Sequence, residues 1–243
     1  MRTAAATRST ADARATATGL LEGYRFSVCD TPGSFARALN VRRRVYVAGS
    51  GYEIPVPDAY DAYSWLLLAE HTDSGRAVGT MRLTPRFAGA FECEEYFTVP
   101  DALRSPHAVE LSRFAILPEY RKGNLFIPTV SLGLFALVRS ALDQIGARVM
   151  VICSKPDKIW TYEWLRFQRT GLRAPYGKLG NVEHELLWCD FRGWCDPRGE
   201  VAFEDHPFKD FFATSHPEVE TRNAMPRLDL AAAVDAPLLA EVA

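Results

Sequence analysis

The sequence predicts a mixed α/β (α+β) domain built on one central sheet, and two observations carry that prediction. Two apolar runs flank the turn signal "TDSG" and read as an antiparallel hairpin. Farther along, strand, helix and strand patterns follow one another in the order that makes a parallel pair through a right-handed crossover. Parallel and antiparallel pairs in one chain imply a mixed sheet. With 243 residues, 48% of them hydrophobic, the chain has the apolar material for such a core.

Residues 1–18 are mainly Ala, Thr and Arg, too poor in bulky apolar side chains to offset the entropy of ordering, so a disordered tail is expected. The same composition occurs in transit peptides as well as in unstructured tails. Residues 19–192 form the folded domain. Residues 193–243 form an extension, in which 193–212 packs on the domain and the end is flexible. From Ser34 the residues Phe35, Ala38, Leu39, Arg42, Val45 and Tyr46 recur at helical steps, with Thr31 or Ser34 as N-cap and an end near Gly49 and Gly51. The hairpin pairs Trp65 to Glu70 with Val78 to Leu83. Residues 85–108, with Pro, Gly and acidic residues and no period, make a long irregular connection of the kind that often carries function. Next come a strand at 109–117, a helix at about 126–145, a strand at 147–153, a helix at about 157–170 and a strand at 182–191.

Charge and motifs narrow the function. The net charge of −2 and the scattered basic residues give no electrostatic case for nucleic acid. No apolar run reaches 18 residues and no secretory segment opens the chain, so a cytoplasmic protein without a transmembrane segment is expected. The five cysteines lack any Cys-x-x-Cys and read as free buried thiols; the five histidines are equally scattered, and no metal site is expected. There is no G-x-G-x-x-G and no Walker loop. Ser112 lacks the glycines of a nucleophile elbow. Cys93 with His107, or Cys153 with His184, would make a thiol-imidazole pair only if folding joined them.

Charged residues inside apolar elements are more informative, because buried charges must be paired. Arg42 lies on the helical stripe of Phe35 and Leu39, four residues before Tyr46. Tyr52 follows the helix. Asp58 and Asp61 precede the first hairpin strand, Arg82 interrupts the second, and Glu110 and Arg113 interrupt "VELSRFAIL". Singly, each has a plainer reading: a solvated helix face for Arg42, a turn cap for Asp58, a snorkelling edge residue for Arg82. Three Arg and three carboxylates within about 70 residues of predicted core elements point instead to one shared site, or to a structural ion-pair network.

In this order these residues resemble the acyl-homoserine-lactone synthases and the long-chain N-acyl amino acid synthases, which share the fold of the GCN5-related N-acetyltransferase (GNAT) superfamily. Arg42 and Tyr46 match the Arg-x-x-x-aromatic pair, Tyr52 the following aromatic, Asp58 and Asp61 the acidic pattern, Arg82 the Gly-x-x-Arg-Leu strand, and Glu110, Arg113 and Phe114 the Glu-x-x-Arg-Phe strand. The resemblance implies a mixed sheet with helices on both faces. It implies transfer of a fatty acyl group from an acyl-carrier-protein or acyl-coenzyme A thioester to an amine. Arg42, Tyr46, Tyr52, Asp58, Asp61, Arg82 and Phe114 would then hold substrate. Two positions depart: Val56 stands where the lactone synthases place Glu, and Tyr52 replaces Trp. Both help hold S-adenosylmethionine in those enzymes, so an ordinary amino acid is an equal candidate acceptor. The superfamily's pyrophosphate loop is incomplete in "PEYRKGNLF", which implies acyl carrier protein as donor, with Arg121, Lys122 and Gly123 meeting the carrier or the pantetheine phosphate.

Chemistry assigns the rest. Amide formation needs a proton acceptor, for which Glu110 is the candidate, directly or through a water, and donors for the thioester oxygen. Arg42, Arg82 and Arg113 would pair with Asp58, Asp61, Glu110 or a substrate carboxylate. Ile116, Phe126 and Ile152 are candidates for an acyl pocket. In a regular strand Glu110 shares a face with Ser112, Phe114 and Ile116, and Arg113 lies opposite. A β-bulge near Leu111 or Ser112 would bring both charges to one side and free a backbone N–H for the oxyanion. An acetyl-coenzyme A-dependent small-molecule acetyltransferase and a non-catalytic acyl- or carrier-binding module are the rival readings.

Overall fold

The computed structural model describes residues 19–121, 127–191 and 209–221. The expected tail 1–18, and most of the expected extension, lie outside these residues. Eight strands form one mixed sheet in the order β6-β7-β5-β4-β3-β2-β1-β8. They are β1 (Tyr24–Val28), β2 (Trp65–His71), β3 (Arg76–Pro85), β4 (Ala108–Ile116), β5 (Val149–Ser154), β6 (Gln168–Tyr176), β7 (Val182–Asp190) and β8 (Val219–Glu220). Helices are α1 (Pro32–Arg42), α2 (Thr129–Ile145), α3 (Ile159–Trp164) and α4 (Lys209–Ala213).

β2 and β3 are the expected hairpin, and β4 and β5 the expected parallel pair joined through α2. Helix α1 starts where Thr31 and Ser34 cap each other reciprocally, which satisfies N–H groups that have no helical partner. It continues as a wider π-type turn over Arg43–Ala48 before Gly49. The predicted helix at 157–170 is corrected: only Ile159–Trp164 is helical, and Gln168–Tyr176 is an edge strand hairpinned to β7 through Gly180 and Asn181, both at positive φ. Gly171 and Pro175 within it read as breakers, but an edge strand tolerates both. Two strands escape the pattern reading: β1, and β8, which lies parallel to β1 at the sheet edge.

The two faces of the sheet differ in what covers them. One carries α2, whose inward residues Val130, Leu134, Phe135, Leu137 and Val138 pack on Phe26, Leu67, Met81, Leu83, Val109 and Leu111 in one large apolar cluster. The helix approaches closely at Gly133, where a Cβ would stand 2.0 Å from the Phe26 ring. The other face is covered in two pieces. Helix α1 sets Ala38 and Leu39 on Leu66 and Leu68, and the segment 91–103 sets Phe91, Cys93, Phe97, Val99 and Leu103 on Val149, Val151, Leu186 and Trp188. Between these two pieces the sheet carries charge. Among the described residues no helix is long and apolar enough to cross a membrane.

Candidate active site

Alternation along β3 puts Met81 and Leu83 under α2 and sends Thr80, Arg82 and Thr84 to the other face, all fully buried. Arg82 therefore emerges between α1 and the 91–103 segment, where every polar group of its fork is taken. Nε donates to Ser112 Oγ at 3.0 Å, Nη1 to Asp58, with Asp61 Oδ1 at 3.5 Å, and Nη2 to Glu92. Arg42 donates to Asp61 Oδ1 at 2.5 Å, while its Nε and Nη2 meet no partner among the described residues. Arg113 bridges the same acids, with Nε 3.0 Å from Asp58 Oδ2 and Nη2 2.5 Å from Glu92 Oε1. The acids are presented by a short turn: Asp58 caps Ala59–Tyr63, and Asp61 reaches back to the Asp58 N–H.

Arg113 reaches this face because β4 is bulged. The β3–β4 register slips by one residue between Thr80 and Arg82, so that Met81 faces the pair Arg113 and Phe114. Arg113 adopts φ 53, in the left-handed region, at a cost on the order of 1 kcal/mol for a residue with a Cβ. Its four-atom grip on Asp58 and Glu92 offsets that cost. The bulge thus lies at Arg113 itself, one or two residues beyond the expected place near Leu111 or Ser112. It puts Glu110, Ser112 and Arg113 on one side, as expected of a bulge, and it moves Phe114 and Ile116 to the other. Ile116 consequently packs in the apolar cluster with α2 and does not line the cavity described below, which corrects its assignment to the acyl pocket.

A second correction concerns pairing. Among the described residues Glu110 joins no guanidinium: its two oxygens accept the backbone N–H groups of Glu92 at 2.9 Å and Cys93 at 2.8 Å. The carboxylate that completes the Arg cluster is Glu92, in the irregular connection. Sequence reasoning missed it because "FECEEYF" has no period, and only the acidic run in a long loop hinted at a role. Three guanidinium groups therefore meet three carboxylates, Asp58, Asp61 and Glu92, and Glu110 stands next to them on the backbone of Glu92 and Cys93. Burial works to raise the Asp58 carboxyl, yet Arg82 and Arg113 hold it below its ordinary value. Burial pushes Glu92 up against the pull of the same two cations. Asp58, Asp61 and Glu92 are thus the acids that these Arg meet, and of the three Arg it is Arg113 that also lines the cavity described below.

Beyond the Leu111–Ile152 pair the β4–β5 ladder ends and the strands part. A cavity of about 300 Å³ opens there, with Glu92, Glu110, Ser112, Arg113 and Cys153 on the charged side and Phe114, Ile152 and Tyr162 toward α2. Tyr46 donates to the Phe114 carbonyl at 2.7 Å, pinning the bulge from α1's extension, and stacks on Tyr52. Lys155, at the end of β5, donates to the Tyr52 hydroxyl at 2.5 Å and lies over its ring. No carboxylate pairs with it among the described residues. Arg121, which also lines the cavity, is anchored by Nε on the Ile116 carbonyl at 2.8 Å. Lys122, Gly123 and Phe126 lie outside the described residues.

Of the sequence-predicted residues, Tyr46, Tyr52, Glu110, Arg113, Phe114, Arg121 and Ile152 thus converge on the cavity wall. Arg42, Asp58, Asp61 and Arg82 stand behind it and hold Arg113 and Glu92. Cys29, Cys93, Cys153 and Cys189 form no disulfide among the described residues, and burial raises the Cys153 thiol, which disfavours its thiolate. Cys153 and His184 do share the cavity, whereas His107 is buried elsewhere. Among the described residues no group of His, Cys, Asp and Glu could hold a metal ion.

Comparison with known proteins places this bulged strand, which parts from its parallel neighbour over a cavity, in a known fold. Residues 41–129 match the sequence profile of the Acetyltransferase (GNAT) domain family, and the fold built around them is the GNAT fold. The structure is similar to FeeM, an N-acyl amino acid synthase from uncultured soil microbes, with a TM-score of 0.61 at 16% identity over 75% of this chain and 96% of that one. It is similar to BjaI, a CoA-dependent acyl-homoserine lactone synthase solved with SAM and isopentyl-CoA, with a TM-score of 0.62 at 19% identity over 86% and 98%. For the AHL synthase LasI the TM-score is 0.54 at 20% identity over 69% and 89%. No curated protein matches the sequence significantly. The expected resemblance to both kinds of synthase is borne out in the fold.

Proposed function

We propose that this protein is an N-acyltransferase. It moves a fatty acyl group from an acyl-carrier-protein or acyl-coenzyme A thioester to the amine of an amino acid or of S-adenosylmethionine, giving an N-acyl amino acid or an acyl-homoserine lactone. The observation that carries the reading is the cavity at the parting of β4 and β5, with a bulge on one strand and Glu110 on its polar wall. A thioester laid between parted strands takes the place of a missing ladder partner. Backbone N–H groups of β4 beyond Leu111 are then free to donate to the oxyanion. The acyl chain runs toward Phe114, Ile152 and Tyr162. Arg121 offers positive charge to the pantetheine phosphate or to a carrier's acidic surface.

An arriving ammonium must lose a proton before its nitrogen can attack. Glu110, whose lone pairs not held by Glu92 and Cys93 N–H groups border the cavity, accepts it, directly or through a water. The Arg82–Arg113–Glu92–Asp58 cluster keeps Arg113 and the bulge in place. Lys155, uncommitted to any acid, supplies a counter-charge for an acceptor carboxylate, which supports an amino acid as acceptor. Lipid extracts of a host overexpressing the protein, analysed by mass spectrometry, should contain a new N-acyl species whose mass gives chain and amine together. The Glu110→Gln variant should lower its yield about 100-fold or more. Equal yields from the two proteins would remove Glu110 from the chemistry. Saturable binding of acetyl-coenzyme A without any long-chain product would favour the small-molecule acetyltransferase instead.

A further inference from the structure

Forming an amide from an ammonium releases two protons, and Glu110 accounts for one. The second leaves nitrogen only after it has attacked, from the tetrahedral adduct, and a base in the same cavity must take it. His184 on β7 lines the cavity and is buried to 4% exposure. Its Nδ1 lies 2.8 Å from the Val182 carbonyl, and since a carbonyl only accepts, Nδ1 carries the hydrogen. In the neutral ring Nε2 therefore keeps its lone pair, and no described residue occupies it.

We propose that His184 Nε2 is the second proton acceptor of the acyl transfer. The amine nitrogen attacks the thioester carbon, and the C–N bond forms as the carbonyl π pair moves to oxygen. Nε2 takes the proton from the now cationic nitrogen. The oxyanion reforms the carbonyl, the C–S bond breaks, and the imidazolium returns that proton to the departing thiolate. Amide and thiol are the products, and the ring is neutral again. The inference rests on the N-acyltransferase reading.

The surroundings suit the role. Burial holds the imidazole below its ordinary value of 6.5, and Lys155 works in the same direction, against the Val182 hydrogen bond and Asp157. Tyr176 of β6 packs on the ring at 4.9 Å between centroids, and burial raises that phenol well above its usual range, so it stays neutral. On β7 itself, Glu185 is held by Arg169 and Arg173 and Glu183 by Arg173. Ala174 is the β6 register partner of His184, and Cys153, with its raised thiol, stands beside it in the cavity.

The test measures kcat against pH for wild type and His184→Asn with dodecanoyl-coenzyme A and a mixture of the protein amino acids, following thiol release and confirming the amide by mass spectrometry. Wild-type kcat should fall on the acid side with a midpoint below 6.5, and His184→Asn should lose that limb and about 100-fold in kcat. Nitrogen NMR of the wild-type imidazole should show hydrogen on Nδ1 at neutral pH, which checks the assignment even if the variant folds poorly. Hydrogen on Nε2, or a variant with wild-type kcat and an unchanged acid limb, would overturn the proposal alone. Absence of any amide from the wild-type protein, with this donor and with dodecanoyl-acyl carrier protein, would remove the acyltransfer reading and the proposal with it.

Discussion

One face of the sheet rests on α2 through one large apolar cluster, and the other holds three arginines and four carboxylates between α1 and the 91–103 segment. Both are buried, yet burial means different things on the two sides. Under α2, stability grows with area removed from water and is lost gradually as atoms are deleted or crowded. On the charged side desolvation opposes folding, and the groups are tolerated because each guanidinium is paired with a carboxylate, so deleting one member leaves its partners under-compensated as buried charge.

Sharp differences between substitutions on the two faces follow. Arg82→Met, which retains much of the side-chain volume, leaves Asp58 and Glu92 with Arg113 as their one remaining cation and should cost about 3–5 kcal/mol, measured by urea unfolding. A loss under 1 kcal/mol would mean the cluster is no better than an apolar patch. On the α2 face, Gly133→Ala drives a methyl into the Phe26 ring, and a well-packed core should yield about 1–3 kcal/mol. If Phe26→Leu restores much of that loss, the cause is steric.

Acid should separate the faces without mutation. Asp58 titrates below its unfolded value of 3.8, so its contribution is fully present above that value and is lost as pH falls through the depressed folded value. Unfolding free energy should therefore drop below pH 3.8 in wild type and drop less in Arg82→Met, where part of the depression is gone. The smallest effect belongs outside both faces: Arg76, half-exposed against Glu119, should change stability by less than about 0.5 kcal/mol when replaced by Ala.

How legible each face was in the sequence follows from the same contrast. The hairpin, β4, α2 and β5 announce themselves through apolar periodicity, and Asp58, Asp61, Arg82 and Arg113 stand out because charge interrupts it. Glu92 interrupts nothing, being one acid among three in a stretch without period, and its role comes from the fold of 91–103 over Arg82 and Arg113. His184 in "VEHELLW" stood out in the sequence only as a possible partner of Cys153, and it took the Val182 carbonyl to fix its tautomer and the β4–β5 parting to put a cavity before it. β6 was misread because Trp164, Leu165 and Phe167 extend a helical rhythm, while Arg166, at φ 66, ends the turn that begins the strand.

Local pattern by itself determined the mixed sheet, its crossover and the presence of a charged site, since alternation and helical spacing are properties of neighbours along the chain. Only tertiary structure decided which carboxylate joins which arginine, that the bulge falls at Arg113, and that Phe114 points to the cavity while Ile116 enters the core. A one-residue slip reverses every later side chain on a strand. Its position is selected by Asp58 and Glu92, residues 55 and 21 positions away along the chain.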